Sequence, residues 1–124
     1  MKVNFKVTKK VSHDKLDVYL DFTEMKEEFM IIALCGVMGY LQQSKVDAKM
    51  KDDLIYVNNE LAVNLLLEQQ RISISVSLDK LGVKINGMLA FVGIQTYLKI
   101  YFNLYENNEY YKIEEFHKKI GTLS

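Results

Sequence analysis

Residues 58–78 read NNELAVNLLLEQQRISISVSL, and the fold class turns on how they pair. In the second half, Ile72, Ile74, Val76 and Leu78 alternate with Ser73, Ser75 and Ser77, the period-two signature of a strand with one buried face. The first half is ambiguous. Leu, Ala, Glu and Gln favour helix, yet Leu61, Val63, Leu65 and Leu67 fit a strand face equally well. Asn58-Asn59 tilts the reading toward strand, because asparagine tolerates the positive φ that a two-residue hairpin demands. A hairpin here implies an antiparallel sheet.

Upstream, Val3, Phe5 and Val7 alternate with Asn4, Lys6 and Thr8, and Leu16, Val18, Leu20 and Phe22 repeat the pattern after Ser12-His13-Asp14. That spacing predicts a first hairpin. A helix is expected from a cap at Thr23, with Glu24, Glu27 and Glu28 near the positive end of its dipole, to about Ser44. Its middle is apolar almost all round, which suits an interior or interface position. Val46 to Asp53 reads as a charged connection, with a short strand through Leu54 to Val57.

Downstream, Asp79 to Asn86, with Gly82, is expected to turn. Gly87 to Tyr105 then reads as a second long apolar helix, and Glu109 to about Lys119 as a short amphipathic one presenting Tyr110, Ile113, Phe116 and Ile120, stopped by Gly121. The expected architecture is therefore α+β in the order ββαβββαα. It has an antiparallel sheet of about four or five strands, two long apolar helices on one face and a short C-terminal helix. The 124 residues form one domain in this reading.

Composition narrows function chiefly by exclusion. Lys+Arg and Asp+Glu balance at 16 each, so the positive excess that nucleic acid or an acidic membrane surface selects for is missing. Arg71 is the sole arginine, leaving little bidentate phosphate recognition. Cys35 is the sole cysteine, which excludes an intramolecular disulfide and a cysteine metal cluster. The longest apolar run, Phe29 to Leu41, is shorter than the roughly 18–20 residues of a membrane span, and Met1 to Lys10 resembles no signal peptide, so a soluble, cytoplasmic chain is expected.

No catalytic constellation stands out. Mid-helix Cys35 lacks a neighbouring base and reads as core packing. Glu114-x-x-His117 has the spacing of a carboxylate-bridged metal ligand pair, but no second copy of the motif exists and His13 is the only other histidine. Asp47, Asp52 and Asp53 do not match a calcium loop, and neither GxGxxG nor GxxxxGK[ST] nor GxSxG occurs. No cofactor or metal is expected.

Two patterns remain. Ala33, Gly36 and Gly39 recur every three residues, as do Gly87, Ala90 and Gly93. Small residues in register permit close backbone approach, within the chain or across a homodimer seam. Tyr97, Tyr101 and Tyr105 fall at i, i+4 and i+8, with Tyr110 and Tyr111 beyond, and tyrosine is a favoured contact residue as well as a core-edge one. The serine ladder at 73, 75 and 77, placed near a sheet edge, would suit strand addition.

These features lead to an expected non-enzymatic interaction module: a modulator, inhibitor or immunity-type factor that covers a macromolecule, a profile compatible with mobile-element origin. One rival is a ligand pocket between sheet and helices using Tyr97, Tyr101 and His117. Another is a homo-oligomeric subunit joined through Ala33, Gly36, Gly39 and Gly93.

Overall fold

A computed structural model describes residues 2–81 and 86–121. Chain order is β1 (Phe5–Val11), β2 (Lys15–Phe22), α1 (Phe29–Gln43), β3 (Ala48–Lys51), β4 (Leu54–Val57), β5 (Glu60–Glu68), β6 (Arg71–Ser77), a 3₁₀ turn (Leu78–Leu81), α2 (Gly87–Glu106) and α3 (Tyr110–Gly121). The class is α+β, and the sheet has six strands rather than four or five. All neighbours are antiparallel in the order β1-β2-β6-β5-β4-β3.

Hairpin chemistry sets this topology. Asn58 and Asn59 adopt φ of 53° and 64° between β4 and β5, which fixes residues 60–68 as strand. Asp52 and Asp53, at 53° and 63°, make the same kind of turn between β3 and β4. The stretch read as a charged connection thus contains β3, a strand with one buried residue, Met50, between Lys49 and Lys51. A four-residue strand whose apolar side chains are only Ala48 and Met50 scarcely registers as an alternation.

The start of α1 also differs from expectation. The Thr23 N–H donates to the Asn4 carbonyl, and the Gln70 side chain donates to the Thr23 carbonyl, so Thr23 belongs to the sheet end. The helix begins at Phe29, with Glu28 at the N-cap making no side-chain capping bond. α2 starts as the spacing predicts, the Asn86 side chain accepting from the Met88 N–H at 2.8 Å. α3 continues through Gly121 rather than stopping before it. The turn expected at Gly82 lies outside the described residues.

One face of the sheet carries the core: Leu16, Val18, Leu20, Ile72, Ile74, Val76, Val63, Leu65 and Ile55 are all buried. Phe5, Phe22, Phe29 and Phe102 meet ring to ring at 4.8–5.6 Å, joining β1, β2, α1 and α2. α2 leans on β1 and β2, α3 leans on β3, and both also contact α1 and each other. α1 is consequently enclosed, every residue from Ile32 to Leu41 being buried. No described helix is long and apolar enough to cross a membrane.

Candidate functional site: the outward face of the second long helix

The α1–α2 seam is where the small residues lie. A Cβ at Gly36 would meet Leu98 Cδ2 at 2.8 Å and the Leu98 Cα at 3.2 Å, and one at Gly93 would enter the ring of Tyr40. Hydrogen at these two positions is what lets the helices approach. Ala33 is fully buried, and a Cβ at Gly39 would come within 3.0 Å of the Tyr97 ring and 3.1 Å of the Tyr101 ring. The pattern singled out in the sequence is thus occupied by contacts within the chain.

The tyrosines sit at the junction of α1, α2 and α3 and are half-buried. Tyr101 stacks on Phe116 at 5.7 Å, and Tyr105 meets Phe29 and Tyr110 edge-on while its hydroxyl donates to Glu28 Oε2 at 3.3 Å. Burial raises the Tyr101 hydroxyl pKa, with Cys35 and Tyr97 adding to the effect. Burial likewise raises that of Tyr110, with Glu114 and Glu28 nearby. Tyr111, by contrast, projects from α3 and is largely exposed.

Cys35 lies in the same junction. Its thiol faces the Ile113 carbonyl oxygen at 3.7 Å, and burial pushes its pKa up to about 12. A thiol held protonated this firmly is a poor nucleophile at neutral pH. His117 Nε2 is buried without a hydrogen-bond partner among the described residues. No three His, Cys, Asp or Glu side chains gather into a metal-sized group among the described residues.

The open face of the sheet is laced by polar pairs, with Leu66 of β5, 52% exposed, lying beside Ser73. Arg71 grips Asp21 through two bonds of 2.7 and 3.1 Å and lies over the Tyr19 ring, and the Ser75 hydroxyl donates to Asp17 at 2.8 Å. Arginine holds the Asp21 carboxyl below its usual pKa. Ser73, Ser75 and Ser77 lie on β6, which pairs on both sides, so the serine ladder is not at an edge. The edges are β1 and β3, bearing Lys6, Lys9 and Lys10 and Lys49 and Lys51, charges that discourage strand addition.

Recesses lie at the rim. One of about 530 Å³ is lined by Asp47, Lys49, Lys51 and Tyr56, and another of about 360 Å³ by Lys2, Thr23, Glu24 and Lys26. Neither is lined by Tyr97, Tyr101 or His117.

The feature that the sequence left unresolved is on α2. The helix buries Ala90, Phe91, Ile94, Leu98 and Phe102, yet its opposite side leaves Leu89 70%, Val92 53%, Met88 48% and Ile100 47% exposed. Within Gly87–Glu106 only Lys99 and Glu106 are charged, and the Glu106 carboxylate accepts from the Val3 N–H at 2.7 Å. An apolar, nearly uncharged outer helix face is what this geometry offers a partner. The legible signal was the absence of charge from 86 to 98, although hydropathy alone does not say which side faces out. No family model matches the chain, and no curated protein matches it in sequence.

Proposed function

We propose that the protein is a non-enzymatic interaction module, a modulator, inhibitor or immunity-type factor, that engages a macromolecule through the outward face of α2. The observation carrying this reading is the exposure of Met88, Leu89, Val92 and Ile100 on a helix anchored by the buried Leu98 and Phe102. Large apolar side chains clustered on an exposed surface gain free energy when a partner removes them from water. An inhibitor needs only such a preformed surface. The enclosed thiol of Cys35 and the pairing of Asp17 and Asp21 with Ser75 and Arg71 are consistent with a role that does not use them chemically.

A photo-crosslinking amino acid at Leu89 or Ile100, introduced into the protein in its host cells, tests this assignment. The expected result is a discrete covalent adduct from these positions and none from Ser73 on the open sheet face. Adducts from Ser73 alone would move the contact surface to the sheet, and adducts from neither would sink the interaction reading.

A further inference from the structure

The outward pattern of α2 has a symmetry that points to what covers it. Val92 and Ile100 stand four residues to either side of Thr96, all three on the exposed side of the helix. Two such helices laid antiparallel with a twofold axis at Thr96 would place Val92 of one copy on Ile100 of the other, twice over. The Thr96 hydroxyl already donates to the Val92 carbonyl at 2.8 Å, so the central polar group enters a dry contact with its donor satisfied. Leu89 would cover Asn103 of the other copy near each end of the contact.

Charge and area are compatible with this occupant. Within α2 the stripe holds no carboxylate and its one cation, Lys99, lies off the Val92–Thr96–Ile100 line, so the two helices meet without setting their own like charges face to face, while Lys9 of β1 lies over the Phe91 ring at the flank. Met88, Leu89, Val92 and Ile100 together expose on the order of 400 Å², the size of patch that often marks a contact surface. Doubled across a twofold and extended by Gln95, Lys99 and Asn103, the buried area approaches about 1,200 Å², the lower end for specific complexes.

We infer that the α2 face pairs with a second copy of this chain, forming an antiparallel homodimer about Thr96. This rests on the proposal that the α2 face is a contact surface and names the occupant of that face. It differs from a seam through Gly36, Gly39 and Gly93, which are taken up within the chain.

Sedimentation equilibrium across the micromolar range is the test, with three variants. Wild type is expected to show a concentration-dependent dimer, and Val92→Asp and Ile100→Lys, both at exposed positions, each to be monomeric with unchanged far-UV circular dichroism. The double variant Val92→Asp/Ile100→Lys sets an aspartate against a lysine of the other copy twice, and is expected to recover dimer, weakened by salt. Oxidation supplies a second readout: Thr96→Cys is expected to form a disulfide-linked dimer faster than Tyr111→Cys, while wild type, whose lone Cys35 is buried, forms none. A wild type monomeric throughout would overturn the homodimer, while crosslinking from Leu89 to a different protein would still uphold the contact face. Failure of the double variant to recover dimer would overturn the antiparallel register.

Discussion

α1 and α2 are both long, apolar and interrupted by glycine, yet α1 is buried at every position from Ile32 to Leu41 while α2 leaves Leu89, Val92 and Ile100 about half or more exposed. The difference lies in what surrounds them. The sheet, α2 and α3 all close on α1, so its apolar circumference is consumed by the fold. α2 has the sheet flank and α1 on its inner side and nothing among the described residues on its outer side. An apolar residue on α1 is therefore a contribution to stability, whereas one on the outer face of α2 is available for association. Mean hydropathy cannot separate those roles, because both helices score as apolar.

The comparison breaks first on a matched pair of truncations. Leu34→Ala, in the enclosed stretch of α1, is expected to cost about 2–5 kcal/mol in urea unfolding. Leu89→Ala, on the outer face of α2, is expected to stay within about 0.5 kcal/mol of wild type when measured dilute. Equal losses at both positions would show that the outer face is covered in the isolated chain.

Overpacking the seam comes next. Gly36→Leu and Gly93→Leu would drive atoms into Leu98 and Tyr40, and each is expected to destabilise by about 1–3 kcal/mol or more, lowering the thermal midpoint. Variants that remain as stable as wild type but lose self-association would instead place an intermolecular seam there.

A smaller effect per unit of pH sharpens the picture of the enclosed junction. The Cys35 pKa is raised from 9.0 to about 12 in the folded protein, so its contribution is complete below about pH 9 and is lost as pH rises toward 12. Over that window stability is expected to fall by about 1.4 kcal/mol per pH unit from this group. The raised pKa values of Tyr101 and Tyr110 act in the same direction above their usual range near 10. Urea midpoints from pH 8 to 11 should decline less steeply in Cys35→Ala than in wild type. Parallel declines would mean that the thiol titrates as freely in the folded chain as in the unfolded one.

Much of the fold was legible where local chemistry and pattern agree. The alternation in 72–78 and the positive-φ chemistry of Asn58-Asn59 led to the correct reading of β5 and β6 as strands, and the small-residue spacing in α1 marked a close helix contact. β3 escaped because its inward residues are just the small Ala48 and Met50, although Asp52-Asp53 offered the same positive-φ chemistry as Asn58-Asn59. The start of α1 was misplaced because a capping residue and acidic first turn were present at Thr23–Glu28, while the long-range bonds of Thr23 to Asn4 and Gln70 are invisible locally. The candidate site was half legible. α2 was recognised as apolar, but the tyrosines drew attention to the side that packs on α1 and α3, since aromatic spacing does not reveal which face a neighbour covers.

The most direct test of the division between an enclosed α1 and an offered α2 is quantitative capture from host lysate, run in parallel on wild type and Val92→Asp/Ile100→Asp. Both proteins should first be shown to have the same unfolding midpoint. The account predicts that wild type retains a stoichiometric partner, a second copy or another macromolecule, and that the variant loses it at unchanged stability. Equal retention by the two proteins, or retention by neither, would contradict it.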